Sequence, residues 1–247
     1  MRLLETVSLF LLFGTPRPHR PIRPFANSSI SRFAGSPVTD RSSSERTAPR
    51  LAVGLRVTRT LTGARLRVDG ISARSIRVFV VGGPGLRVFR QARLERQPDG
   101  GFAVDLALED TGLYMAYVEF VPASGWPQMA QQAFTIGSAI AVRASEPADE
   151  PHASNGIAAA IDLAHVRAGV ESPLAFDVAD ATLSAPAEAF IVSSDLTDAQ
   201  HLAAQPTSGG GHLVFSAIFP HPGRYKVWLI AQRNGQTGTI PFVIDVN

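Results

Sequence analysis

The segment GLYMAY at residues 112–117 recurs as GRYKVW at residues 223–228, an offset of 111. The same offset relates FVV at 79–81 to FIV at 190–192, and FAVDLAL at 102–108 to LVFSAIF at 213–219. Near the ends, FTI at 134–136 answers FVI at 242–244 with the offset slipped to 108. A fixed offset that joins several separate segments indicates an internal duplication.

The duplication divides the chain into four parts. The two repeats span residues 51–137 and 155–247, and the acidic, proline-containing stretch 138–154 is predicted to be a linker. Residues 1–50 form a separate N-terminal segment. Each repeat is small and buries a modest core by itself. The two repeats are therefore expected to pack on each other or on a partner.

Alternating side chains inside each repeat predict β-strands. RLRV at 65–68 and AVDL at 103–106 place apolar and polar residues on opposite faces. Turn signals separate such runs, most clearly Asn234-Gly235, a pair suited to the positive φ angles of a type I′ hairpin. No sustained helical period is found in 51–247, so the sequence predicts tandem β-sandwiches. Tyr114 and Tyr225 fit either tyrosine corners or ordinary core aromatics.

Composition and charge restrict the classes of function. The chain has no cysteine, which excludes disulfides, thiolate metal sites and cysteine nucleophiles. Residues 1–96 carry 18 arginines against 5 acidic residues, and residues 97–247 carry 5 basic against 16 acidic residues. This asymmetry is typical of a basic arm for nucleic acid or anionic membrane. Codon bias in a GC-rich genome is the favoured explanation of this excess, since Lys226 is the sole lysine.

The N-terminal segment contains the longest apolar run, within residues 1–14. It is too short to span a bilayer and is similar to the core of a signal peptide. Residues 15–50, rich in arginine, serine and proline, are predicted to be disordered. An export signal with a linker, a basic tail and a start codon assigned too far upstream are the three interpretations, of which export is favoured.

Motifs of catalysis are missing from the sequence. There is no Gly-x-Ser-x-Gly, His-Glu-x-x-His or Walker loop. The glycine-rich stretch 82–85 precedes a strand-like segment instead of a helix, and it is predicted to be a plain turn. Asp195, His201 and Ser208 are the residue types of a triad, but their closeness in sequence does not establish one. The chain is therefore predicted not to be an enzyme.

Most of residues 75–247 resembles bacterial envelope proteins with YtkA-like, immunoglobulin-type β-sandwich repeats. The resemblance rests mainly on residues 195–199 (DLTDA), 219–228 (FPHPGRYKVW) and 241–243 (PFV), and more weakly on residues 79–81, 99–102, 119–122 and 127–128 of the first repeat. It implies an all-β chain with two tandem immunoglobulin-like β-sandwich domains from an internal duplication, preceded by a disordered N-terminal segment. It also implies a periplasmic or secreted location.

The resemblance also bears on metal binding. It implies a His-x-His-Pro motif after the Asp-Leu segment and a histidine before the Phe-Val-Val-type strand. Here only His201 remains of the motif, Glu188 stands near the upstream position, and no histidine lies between residues 20 and 151. His201, Glu188 and His221 are the candidate ligands of a degenerate copper or zinc site. No cofactor is otherwise predicted.

The leading interpretation is a non-catalytic, exported binding or scaffolding protein of the bacterial envelope. Its partner is expected to be another envelope protein, which would contact sheet edges or the turn at Trp126. The first alternative is weak copper or zinc binding by the histidines of the second repeat. The second alternative is a basic N-terminal half that binds anionic membrane or nucleic acid, of which nucleic acid is the less favoured partner.

Overall fold

The structure is a computed structural model of the chain. It describes residues 54–122, 127–137, 146–164, 166–179, 183–205 and 211–247. Four predicted features fall outside the described residues: the N-terminal segment 1–50, Trp126, Ser208, and His165, which is one of the histidines of the second repeat considered for metal binding. The described part contains no helix long and apolar enough to cross a membrane.

The strands form two successive units, called module 1 and module 2. Module 1 contains β1 (Gly54–Thr60), β2 (Gly63–Asp69), β3 (Ala73–Gly82), β4 (Val88–Arg93), β5 (Glu95–Arg96), β6 (Phe102–Ala107), β7 (Gly112–Pro122) and β8 (Gln128–Ile136). Module 2 contains β9 (Ala153–Ser154), β10 (Ile157–Asp162), β11 (Glu171–Val178), β12 (Glu188–Ser193), β13 (Ala199–Ala203), β14 (His212–Ile218), β15 (Gly223–Arg233) and β16 (Gln236–Val246).

Each module is a sandwich of two antiparallel sheets. In module 1 the strand orders are β1-β2-β6-β5 and β4-β3-β7-β8. Module 2 has β14-β11-β10-β9 and β13-β12-β15-β16. This arrangement confirms the predicted all-β fold with two tandem immunoglobulin-like sandwiches. The glycine-rich stretch forms a turn with a short 3₁₀ segment, Pro84–Leu86, that leads directly into β4.

Alternating burial builds the core of each module. On β2, Leu66 and Val68 are fully buried while Arg65 is exposed. On β7, Tyr114, Ala116, Val118 and Phe120 form one buried face; they belong to the core cluster of module 1. Module 2 has its own core cluster. Burying one such large apolar side chain contributes roughly 1.5–3 kcal/mol.

The duplication is visible in the pairing of strands, with one correction near the end of each repeat. Strands β7 and β15 begin at Gly112 and Gly223, at the predicted offset of 111. Phe134 lies opposite Tyr114, and Ile244 lies opposite Tyr225. The offset there is 110 (244 minus 134), so the predicted offset of 108 is wrong by two residues. A shift of two keeps every side chain on the same face, which is why hydrophobic alternation did not reveal it.

Two further local features are settled by geometry. The hydroxyl of Tyr114 donates to the Asp110 carbonyl at 2.8 Å, and that of Tyr225 donates to the His221 carbonyl at 2.9 Å. Both are tyrosine corners, in which the phenol binds backbone a few residues upstream.

Asn234 and Gly235 have φ angles of 51° and 77°. These positive values are those of the predicted type I′ turn between β15 and β16.

Candidate module interface

The outer face of one sheet in each module is buried against the other module. Phe79 and Val81 of β3, and Phe190 and Val192 of β12, are fully buried although they lie on the face opposite to their own core. A single hydrophobic cluster joins the two modules through these side chains; it also contains Leu86, Phe89, Tyr117, Leu196, Trp228 and Ile230. The expectation that the two repeats pack on each other is confirmed.

Equivalent residues of the two repeats meet at this interface. The rings of Phe79 and Phe190 stack with centroids 4.3 Å apart and planes inclined by 18°. Arg77 and Glu188 also contact each other, and both pairs are separated by the repeat offset of 111. In a two-fold interface, residues near the axis contact their own equivalents. The modules are therefore docked about an approximate two-fold axis that passes close to these pairs.

Further aromatic contacts surround the Phe79–Phe190 pair. Phe89 stacks on Trp228 with centroids 4.8 Å apart, and Tyr117 meets Phe190 edge to face at 5.5 Å. Pairs of these geometries contribute about 0.5–1.5 kcal/mol each beyond the burial of area. The contact between the modules is thus packed like a protein core.

A buried hydrogen bond from Tyr117 crosses the interface. The hydroxyl of Tyr117 donates to the carbonyl oxygen of Leu196 at 2.8 Å. Leu196 lies in a tight turn with a φ of 63°. Asp195 holds this turn, because its Oδ1 accepts hydrogen bonds from the Ser193 hydroxyl and from the backbone and hydroxyl of Thr197. Asp195, considered as a triad residue from the sequence, therefore orders a turn.

A cluster of four charged or ionisable side chains lies beside the aromatic pairs. It is called the polar cluster and consists of Arg77 and Glu119 from module 1, and Glu188 and His201 from module 2. Arg77 Nη1 donates to Glu188 at 2.9 Å, and its Nε lies 3.4 Å from Glu119. His201 Nδ1 lies 3.1 Å from Glu119 Oε2. His201 Nε2 is buried and lies 3.4 Å from Glu188 Oε2, an ion-pair distance without hydrogen-bond geometry.

Burial and ion pairing shift the pKa values in opposite directions within this cluster. The side chain of His201 is only 7% exposed. Burial alone would lower the pKa of His201, but the two neighbouring carboxylates outweigh it and raise the pKa. Contact with His201, helped by Arg77, lowers the pKa of Glu188 to about 2 against the opposing effect of burial. Burial would raise the pKa of Glu119, yet His201 and Arg77 hold it below its ordinary value.

The structure places the three predicted metal ligands in two different locations. His201 and Glu188 meet in the polar cluster, whereas Nδ1 of His221 lies 3.1 Å from Asp198 Oδ2. The described residues contain no group of three or more His, Cys, Asp or Glu side chains that could hold a metal ion. Metal binding through these residues stays a prediction, and the observed geometry is that of an ion-pair network.

The segment between the modules is fastened to both of them. The Ala148 amide donates to the Gly85 carbonyl of module 1 at 2.8 Å. Lys226 of module 2 is fully buried, and its Nζ donates to the Ala148 carbonyl at 2.5 Å and to Glu150 Oε1 at 2.6 Å. A Cβ added to Gly85 would lie 2.7 Å from that of Ala148. The connection therefore helps to hold the modules in one arrangement.

Some of the excess arginine in the first half of the chain is neutralised locally. Arg65 pairs with Asp105 at 3.0 Å, and Arg67 pairs with Asp69 and Asp99 at 2.8 and 2.7 Å. Anchoring by both aspartates raises the pKa of Arg67. These pairs on the outer sheet of module 1 reduce the cationic surface that a nucleic acid or anionic membrane would need.

No sequence feature assigned an interface role to Arg77, Tyr117 or Glu119, which form hydrogen bonds or ion pairs with module 2. One signal could have located the face that carries them. FVV at 79–81 and FIV at 190–192 are continuous apolar runs, which indicate strands buried on both faces. No sequence pattern specifies which strands would cover the second face.

Comparisons with known proteins describe part of the chain. Residues 152–247, which include all of module 2, match the sequence model of a family described as "Domain of unknown function (DUF8832)". The comparison with curated proteins gives no match. The matching family has no functional description, so the resemblance to YtkA-like repeats stays a prediction.

Two solved structures each align with 78% of the chain. One is a tetra-tandem repeat in the extending region of a large adhesion protein, with 11% identity and a TM-score of 0.30. The other is a segment of two fibronectin type-III domains from chicken tenascin, with 13% identity and a TM-score of 0.26. The chain covers 48% of the first structure, about half its length, and 97% of the second. Similarity at this level does not bear on function.

Proposed function

We propose that the chain is a non-catalytic binding or scaffolding protein that is exported to the bacterial envelope. The observation that carries the proposal is the docking of the two sandwiches through a buried aromatic face. Docking of this kind fixes the two modules relative to each other and leaves their outer sheets and free strand edges for other contacts. Export is supported by the signal-like sequence at residues 1–14.

The engagement of ionisable side chains in structural contacts supports a non-catalytic role. Asp195 orders the turn that receives Tyr117. His201 is enclosed between Glu119 and Glu188, with the rings of the aromatic cluster against it. A general base has to reach the proton that it abstracts, within about 3 Å or through one water. A side chain packed between two modules does not offer that access.

The edge strand β8 is the surface that we propose for partner binding. In the described part of the chain, β8 pairs only with β7, and Gln131, Gln132 and Ala133 on it are exposed. All nine residues of β8 are uncharged and none is proline. An exposed edge without charge or proline is open to pairing with an extended strand of another protein.

The equivalent edge in module 2 is protected. Strand β16 contains Pro241, which cannot donate to a strand pair, and the charged residue Asp245. A Cβ added to Gly238 of β16 would lie 2.7 Å from the Ser154 carbonyl oxygen, so β9 closely approaches this edge. The end of β8 is also approached, because Arg59 of β1 donates to the Gly137 carbonyl at 3.2 Å and to the Thr135 hydroxyl. The exposed centre of β8 and the lack of charge and proline on that strand still favour module 1 as the one that engages a partner.

Fractionation and affinity capture test this proposal together. The protein is expected in the envelope fraction, and recovery only from the cytosol would contradict export. The full chain should capture an envelope protein that a Gln131→Lys/Gln132→Lys variant does not capture. The matched control is Gln236→Lys/Thr237→Lys on the exposed start of β16, which should capture it normally. Equal capture by the β8 variant would contradict the assignment of the edge.

Metal handling is the alternative that the sequence favours next, and one observation keeps it testable. Nε2 of His201 lies 3.4 Å from Oε2 of Glu188, and both residues are among the three predicted ligands. Calorimetric titration of Cu(II), Cu(I) and Zn(II) into the wild type and His201→Ala distinguishes the possibilities. Tight binding that vanishes in the variant would support metal handling. Absence of binding in both proteins would leave the scaffolding role.

A further inference from the structure

The approximate two-fold axis makes the interface a surface that recognises modules of its own kind. In an isologous interface the same patch is used on both sides, and each contact is repeated by symmetry. Phe79 and Phe190 fulfil this rule, since they are equivalent and stack on each other. Apart from side-chain differences, the same patch could also join two copies of module 1 or two copies of module 2.

The polar cluster breaks this symmetry at the axis. Arg77 and Glu188 are equivalent positions and carry opposite charges, joined at 2.9 Å. Two copies of module 1 would place Arg77 against Arg77, and two copies of module 2 would place Glu188 against Glu188. Like charges brought together at a largely buried interface disfavour the wrong partner.

A second contact of the cluster also exists only between unlike modules. His201 lies opposite Phe190 in module 2, and Gln91 takes the same place opposite Phe79 in module 1. Glu119 corresponds to Ile230 at the repeat offset. The His201–Glu119 contact would therefore become His201–Ile230 between two copies of module 2, and Gln91–Glu119 between two copies of module 1.

We propose that Arg77, Glu119, Glu188 and His201 are specificity-determining residues that restrict this face to an unlike partner. Module 1 recognises a module that carries a carboxylate and an imidazole at the positions of Glu188 and His201. Neither module recognises a second copy of itself. The inference concerns how the modules recognise each other and does not depend on the identity of an external partner.

Charge reversal in the full chain tests the proposal. Arg77→Glu and Glu188→Arg should each separate the modules, seen as a larger radius of gyration in X-ray scattering and a lower Tm. The double variant Arg77→Glu/Glu188→Arg should regain part of the lost Tm and compactness, because an opposite pair is restored at the axis. Recovery stays incomplete because Glu119 and His201 are unchanged.

Mixing the two single variants gives a sharper readout. Each variant alone has matching charges at the axis, whereas an equimolar mixture offers opposite charges between chains. Light scattering should then show a 1:1 complex with twice the 26.3 kDa mass of one chain. The matched control, Arg65→Glu, breaks an exposed pair within module 1 and should neither separate the modules nor form such a complex.

Three results would overturn the inference. The losses of the two single variants could add in the double variant, the mixture could remain monomeric, or the neutral variant Arg77→Gln could separate the modules as fully as Arg77→Glu. Arg77→Gln also provides a test if the reversed charge of Arg77→Glu prevents folding. If Arg77 determines specificity, Arg77→Gln should lose less Tm and less compactness than Arg77→Glu.

Discussion

Removing the hydroxyl of Tyr117 measures whether the modules are docked in solution. Tyr117→Phe deletes one oxygen from a fully buried side chain and leaves the volume of the aromatic cluster almost unchanged. The carbonyl of Leu196 then loses its donor from Tyr117. A buried polar group without a partner costs about 1–3 kcal/mol of stability. Each kcal/mol lowers the Tm of a chain of this size by roughly 2–4 °C.

The matched control is Tyr225→Phe, which makes the same chemical change inside module 2. Its hydroxyl donates to the His221 carbonyl, so its loss should destabilise the chain whether or not the modules are docked. Urea unfolding and calorimetry of the wild type and both variants provide the comparison. A Tyr117→Phe variant as stable as the wild type, beside a destabilised Tyr225→Phe variant, would refute the docked arrangement.

Three further predictions concern the polar cluster, the linker and a turn. Because the pKa of His201 is raised, its charge stabilises the docked state fully below about pH 6.5, the ordinary pKa of histidine. This contribution is lost as the pH rises through the raised pKa. Urea unfolding of the wild type and of His201→Gln between pH 5 and about 10 measures the loss. The opposite sign holds for Glu188, whose contribution is lost as the pH falls towards a pKa of about 2. Lys226→Met should lower the free energy of unfolding by about 1–3 kcal/mol, which is less than for a fully buried pair because Glu150 is partly exposed. The double variant Lys226→Met/Glu150→Gln should recover part of that stability in urea unfolding. Gly235→Ala should cost about 1–2 kcal/mol in thermal unfolding through backbone strain alone, because its Cβ would meet no atom within 4 Å, and Gly235→Asn should cost less.

Module docking explains why the candidate site was only partly predicted. His201 and Glu188 were selected as metal ligands through a resemblance, and the structure does bring them together. Their neighbours Arg77 and Glu119 belong to the other repeat, 111 residues from Glu188 and 82 residues from His201. A pairing over such distances depends on the docking of two complete sandwiches, and no local spacing encodes it.

The sequence by itself determined the duplication, the alternating strands around 65–68 and 103–106, and the turn at Asn234-Gly235. These follow from local chemistry: period-two alternation sets which side of β2 or β7 is buried, and Asn234-Gly235 supplies the positive φ angles of a type I′ hairpin. Only the tertiary structure decided the exact correspondence of the last strands, because a shift of two residues preserves the hydrophobic pattern. It also decided what covers the outer faces of β3 and β12. Continuous apolar runs require burial on both sides, but the identity of the covering surface comes from the shape and charge of the assembled modules.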